Sequence, residues 1–205
     1  MTDDDVEIIG KTTGYDGYCR VDIYKLRHRV FDQGWSDVMS REVVERGHAV
    51  GVLPYDPVRD ELVLIEQFRI GAYAAHDYPT WQIECVAGMI EHGQTPEEVA
   101  RREIVEEAGV PALDIVPMIR YLSSPGAISE SLELFAARVD ANGVGGIHGL
   151  AHEHEFMRVF TLRPEDAFAQ LERGEITNGM TVIALQWLQL HLDKLRADWT
   201  AQSTD

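Results

Sequence analysis

The most constraining stretch of this 205-residue chain is Gly88–Val110, "GMIEHGQTPEEVARREIVEEAGV". It predicts a helix with both ends marked. Thr95 is an N-cap, Pro96 takes the first helical position and Glu98 closes a capping box. Gly109 suits a left-handed C′ position, with Pro111 just beyond. Within the helix Glu103, Glu106 and Glu107 fall at i, i+3 and i+4, which predicts three carboxylates on one face. As a merely solvated surface such a face is unfavourable. Like charges at i, i+4 repel, and acidic groups near the C-terminus oppose the macrodipole, each costing a few tenths of a kcal/mol. Arg102 can relieve Glu106 at i+4 but cannot neutralise three carboxylates. Hard divalent cations would, since Mg²⁺ takes oxygen ligands and is shared between carboxylates and phosphates. Spacing alone leaves both metal binding and a charged surface face open.

Around this helix the sequence predicts strands and two further helices. Residues 6–53 read as strands, with Cys19, Val21 and Ile23 alternating against Tyr18, Arg20, Asp22 and Tyr24 as in a half-buried sheet. Val43, Val44, Val50, Val52 and Leu53 suggest one long strand ended by Tyr55-Asp56-Pro57. Glu61–Phe68 is a buried strand, residues 70–80 a loop, and Gln82–Val86 another strand. Further strands fit Ile115–Tyr121, Leu132–Val139 and Phe156–Leu162. Gly143, Gly145, Gly146 and Gly149 mark a long mobile loop, and long loops in compact domains are often functional. Helices are expected over Pro164–Arg173, stopped by Gly174, and over 178–199. In the latter Ile183, Trp187 and Leu190, then Leu188, Leu192 and Leu195, form an apolar stripe read as core packing. Elements interleave without a regular βαβ rhythm, which favours α+β or a mixed-sheet sandwich.

Charge narrows the function. Lys and Arg number 18 against 35 Asp and Glu, a formal net charge of −17. That balance opposes nonspecific nucleic-acid binding, which needs clustered Lys and Arg. It also repels a free polyphosphate unless divalent cations or local arginines intervene. Solubility or adaptation to high salt is the main reading of the global imbalance. No apolar run approaches the roughly 18 residues of a membrane helix, and Met1-Thr2-Asp3-Asp4-Asp5 is acidic where a secretory signal would be basic. Cys19 and Cys85 cannot make a disulfide framework, so a cytoplasmic location is expected. Cys85 reads as a small core residue rather than a nucleophile. The length suits one main domain with a small annex.

The segment Gly88–Val110 resembles the Nudix box, G-x5-E-x7-R-E-U-x-E-E-x-G-U with U a bulky aliphatic residue. Gly88, Arg102, Glu103, Ile104, Glu106, Glu107, Gly109 and Val110 match it. Gln94 departs, standing where the pattern has its first glutamate. In the family that glutamate is a structural partner of the box arginine, so the departure bears on how firmly the loop is held. The likeness extends over nearly the whole chain, to the homodimeric bacterial ADP-ribose pyrophosphatases. It is carried by "YKLRHRVF", "REVVERGHAV", "LPYDPVRDELVLIEQFRIGAY", "AGMIE", "SSPGAISE", "GIHGLAHEHE" and "VIALQWLQLHL".

The resemblance implies an α+β fold: a Nudix-type α/β/α sandwich with a mixed sheet, plus a small N-terminal antiparallel β-region. Residues 1–47 would form that region, serving dimerisation and offering substrate contacts across the interface, and 48–205 the hydrolase domain. The implied reaction is cleavage of ADP-ribose to AMP and ribose 5-phosphate with Mg²⁺, Mn²⁺ being its alternative. Another nucleoside diphosphate sugar, or a silent ADP-ribose sensor, are the rival functions. The implied metal ligands are the Ala87 carbonyl, Glu103, Glu107 and Glu155. Glu153 would be the general base, with Glu106 next in line. Substrate contacts would come from Tyr18, Arg41, Glu42, Arg46, Arg69, Met89, Ser124 and Glu130. Glu153 lies between His152 and His154, for which a polar loop and a His-lined transition-metal site are the other readings. Arg46, beside Gly47, also reads as a plain surface arginine.

Overall fold

The computed structural model describes residues 1–149 and 156–201, and these divide into two compact units. The first unit comprises Met1–His48 with Tyr121–Ser131, a segment that the expected division at residue 47 leaves in the larger domain. After a short 3₁₀ turn at Asp3–Asp5 it forms β1 (Val6–Asp16), β2 (Arg20–Val30), β3 (Gly34–Trp35) and β4 (Met39–Glu45). β1, β3 and β4 each pair antiparallel with β2. The alternation in β2 departs from expectation. Asp22, not the flanking aliphatics, is the buried residue. It bonds Lys11 at 2.8 Å, Arg20 at 3.1 Å and Thr13 at 3.0 Å, and the Lys11 ammonium holds it below the usual carboxylate range. The segment 121–131 joins β4 through Val44 N–H to the Ala127 carbonyl at 2.8 Å and Ser129 N–H to the Val44 carbonyl at 3.2 Å.

The second unit is built on a mixed sheet. Its strands are β5 (Ala49–Asp56), β6 (Glu61–Phe68), β7 (Trp81–Glu84), β8 (Val86–Met89), β9 (Asp114–Leu122), β10 (Ser131–Arg138), β11 (Gly146–His148) and β12 (Met157–Leu162). The order is β11-β12-β6-β5-β10-β9, with β7 on β6 and β8 on β5. β5 and β10 run parallel, whereas β5–β6, β6–β7, β5–β8 and β6–β12 are antiparallel. The helices are α1 (Ile70–Ala75), α2 (Pro96–Ala108), α3 (Pro164–Glu172) and α4 (Gly179–Ala201).

Period-two burial on both sides explains the layers. Val50, Val52, Val63 and Ile65 join Val99, Ala100, Ile104 and Ala108 of α2 in one core cluster. The alternate residues Leu53, Tyr55, Leu62 and Leu64 are equally buried, on the face that α4 covers. There a Cβ on Gly51 would meet the Met180 sulfur at 2.5 Å, and Tyr55 packs on Trp199 with ring centroids 6.3 Å apart. The unit is thus an α/β/α sandwich.

The ends of α2 follow the sequence closely. Thr95 accepts from the Glu98 amide at 3.3 Å, Glu98 returns the bond to the Thr95 amide at 2.8 Å, and Gly109 sits at φ 71°. Elsewhere the structure corrects the sequence. Val43–Leu53 is two strands in different sheets, because Gly47 at φ 86° turns the chain between them. Residues 70–75 are helical, a single turn and a half ended by His76 at φ 64°, too short to show a period. Part of the glycine-rich loop is strand β11, paired with β12. In α4 Leu188, Leu192 and Leu195 are buried and Ile183 and Trp187 half-buried, but Leu190 is 82% exposed, so one residue of the expected stripe faces solvent. No helix among the described residues is long and apolar enough to cross a membrane.

Candidate active site

The carboxylate face of α2 separates into two environments. Glu103 and Glu107, one turn apart, are buried, while Glu106 is exposed and pairs with Arg102 at 2.7 Å. Burial divides the shared face: Glu103 and Glu107 turn inward, and Glu106, about 100° around the helix from Glu107, lies at its solvent edge. Glu107 accepts from the Ala87 amide at 3.0 Å, which ties the helix to β8. Gly88 stands where a Cβ would strike the Glu103 carboxylate. The first glycine of the box is therefore the space that the carboxylate occupies. Arg102 also reaches Glu103 at 2.8 Å, and the coulombic pull of Glu103 and Glu106 outweighs burial to raise its pKa further. Gln94 accepts from the Glu91 amide at 3.2 Å, so its hydrogen bond closes the loop before the helix. The Arg102 Nε is buried with no hydrogen-bond partner among the described residues.

Arg69 caps β6 at the start of α1 and lies against a carboxylate that sequence reading missed. Glu84 is fully buried and takes Arg69 Nε at 3.0 Å and Nη2 at 2.7 Å. Gln67 and Asn178 donate to it as well, at 3.2 and 3.1 Å. Cys85, the next residue, is buried, and burial pushes its thiol up to about 12, which leaves it inert as a nucleophile. Its amide donates to Thr181 Oγ1 at 3.0 Å, and here the chain steps from pairing with β6 to pairing with β5. Met89 ends β8, 37% exposed.

The other substrate candidates lie in the first unit. Tyr18 is 94% exposed at the turn between β1 and β2. Arg41 and Glu42 are exposed on β4, Arg41 donating to the Ser40 carbonyl at 2.8 Å. Arg46, its side chain 41% exposed, and Glu130 come together at 3.1 Å. Ser124 is exposed, its carbonyl accepting from Ala127 and Ile128 at 3.1 and 2.9 Å. Glu153, Glu155, His152 and His154 lie outside the described residues.

Glu103, Glu107 and the Ala87 carbonyl are hard oxygen donors of the kind Mg²⁺ takes, and Gly88 leaves room for one carboxylate beside the strand. Among the described residues, no group of three or more His, Cys, Asp or Glu could hold a metal ion. Two buried carboxylates in the C-terminal half of α2, set against β8 of an α/β/α sandwich, are the arrangement expected of a Nudix-type hydrolase.

The chain belongs to this family: residues 45–202 match the NUDIX domain. It is 50% identical over 195 residues to the ADP-ribose pyrophosphatase of Escherichia coli strain K12, covering 95% of this chain and 93% of that protein. It is 41% identical over 198 residues to the ADP-ribose pyrophosphatase of Haemophilus influenzae, covering 95% and 91%. The solved structure of an ADP compounds hydrolase shares the fold, with a TM-score of 0.71 at 20% identity over 93% of this chain and 95% of that one.

Proposed function

We propose that this enzyme hydrolyses the diphosphate bond of ADP-ribose to AMP and ribose 5-phosphate, with Mg²⁺ and by attack of water at phosphorus. The observation that carries the reading is the pair of buried carboxylates, Glu103 and Glu107, set against Ala87 and Gly88. The named activity of relatives 50% and 41% identical supplies the substrate. Ala87, Glu103, Glu107 and Glu155 would hold the metal. When bound, divalent ions neutralise the diphosphate and polarise phosphorus.

The chain's own residues do the rest. Arg69 offers a guanidinium already oriented by Glu84, a fork suited to phosphate oxygens. Glu153 takes the proton from the attacking water, a role typically worth about 10²–10⁴-fold, and Glu106 is the next choice for that role. Met89, Ser124, Glu130, Glu42, Arg46, Arg41 and Tyr18 contact the nucleotide and sugar, with Tyr18 giving adenine an aromatic face.

The working form is a cytoplasmic homodimer, and residues 1–47 serve its interface. Support comes from β1, an edge strand with Ile8 51%, Ile9 48% and Tyr15 61% exposed, since exposed apolar edges invite pairing.

Product chromatography with Mg²⁺ across ADP-ribose, GDP-mannose, NADH and diadenosine polyphosphates tests the substrate. AMP and ribose 5-phosphate should form fastest, from ADP-ribose. Faster turnover of another nucleotide would replace the substrate, and tight binding of ADP-ribose without products would make the chain a sensor.

A further inference from the structure

We infer that Glu84, backed by Asn178, is a positioning residue that sets substrate affinity through Arg69; the inference rests on the reading of Arg69 as a substrate contact.

Stability alone is a poor reason for this arrangement. A carboxylate taken wholly out of water carries a desolvation cost that only full pairing offsets, and the Arg69 side chain it pairs with is 44% exposed. Ion pairs that reach solvent contribute little. Yet donors from three residues converge on Glu84. Oε1 accepts from Arg69 Nε at 3.0 Å and Asn178 Nδ2 at 3.1 Å. Oε2 accepts from Arg69 Nη2 at 2.7 Å and Gln67 Nε2 at 3.2 Å. Two parallel bonds to one carboxylate fix the guanidinium plane as well as its position. An anion meeting an arginine so held loses less side-chain freedom than with a mobile one.

Asn178 makes this a fixed platform. It caps α4, its Oδ1 accepting from the Thr181 amide at 3.0 Å, while its Nδ2 serves Glu84. One side chain thereby starts the helix and orients the carboxylate. On the strand side Glu84 is followed by Cys85, whose amide is held by Thr181, and then by Ala87, whose amide is held by Glu107. The anchor of Arg69 and the carboxylate face of α2 therefore share the segment 84–87. Their spacing is set by backbone rather than by a loop.

A variant cycle tests the inference in the full-length enzyme, with KM and kcat for ADP-ribose and the melting temperature read for each protein. Glu84→Gln keeps the shape and removes the charge. It should raise KM by roughly 10-fold, the order of one lost charge-assisted hydrogen bond, with kcat little changed. Arg69→Ala should raise KM at least as much, and adding Glu84→Gln to it should change KM no further. Asn178→Ser keeps a capping oxygen and removes only the donor to Glu84, so its KM rises less while the fold is kept. That variant carries the test if Glu84→Gln does not fold. An unchanged KM in folded Glu84→Gln, or an equal rise in the presence and absence of Arg69, would overturn the positioning role. An unchanged KM in Arg69→Ala would instead remove Arg69 from the substrate site, and the inference with it.

Discussion

Gly88 shows how one residue type decides the carboxylate face. With a Cβ there, Glu103 must leave the position it occupies. Gly88→Ala should therefore raise the Mg²⁺ needed for half-maximal rate by about 10–100-fold, as disturbing the support of a metal ligand does. A metal titration of turnover checks this, with circular dichroism confirming the fold, and an unshifted midpoint would separate Glu103 from the metal. Glu153→Gln should lower kcat by about 10²–10⁴-fold with little change in KM; an unaltered kcat would move the base to Glu106. At this scale the sequence was informative where chemistry is local. Glu103 and Glu107 share a helix period, so their neighbourhood is visible in the spacing. Glu84 is different, because its partners Gln67, Arg69 and Asn178 come from other elements, the last 94 residues away. Nothing in "WQIE" distinguishes it beyond being a carboxylate in a strand.

At the scale of elements, helix ends with side-chain caps were legible, and breaks made by tertiary packing were not. Thr95, Pro96, Glu98 and Gly109 mark α2 because each satisfies backbone groups locally. The step at Cys85 is invisible because its amide finds Thr181 on a distant helix. The C-terminal helix carries a further lock of this kind. Arg196 binds Asp60 through two bonds of 2.7 Å and Glu165 at 2.9 Å. Burial alone would raise Asp60, but the bonds from Arg196 and Tyr55 outweigh it and hold it low; Arg196 likewise lowers Glu165. Their folded pKa values lie below the unfolded ones, about 3.9 and 4.3. The unfolded chain then binds more protons across that window. Stability from the lock is full above about pH 5 and lost as pH falls through the folded values. Arg196→Met should lower the melting temperature at pH 7 by about 2–6 °C, an effect of roughly 1–1.5 kcal/mol. Thermal melts of the two proteins should converge as pH falls below the usual carboxylate range. A gap that stays constant with pH would show that Arg196 acts by packing alone.

For the whole molecule, the excess of acidic over basic residues, 35 against 18, poses the question of how an anionic substrate is held. The proposed answer joins divalent ions on Glu103 and Glu107 to an arginine fixed in place, Arg69 by Glu84. If Tyr18 and Arg41 complete a partner's site, mixing Arg41→Ala with Glu107→Gln should restore activity, since some heterodimers carry one intact site. No recovery after verified subunit exchange would assign each site to one chain. The proposed function comes down to metal-dependent hydrolysis of ADP-ribose on the α2 face. Its most direct test is the rate of AMP formation from ADP-ribose as Mg²⁺ is varied, in the wild type and in Glu107→Gln. A rate that rises saturably with Mg²⁺ in the wild type and falls by 10²-fold or more, on the order expected for a charge-bearing catalytic group, in a folded Glu107→Gln is the predicted result. Equal Mg²⁺-dependent rates in the two proteins would place the hydrolysis away from Glu107 and the α2 face.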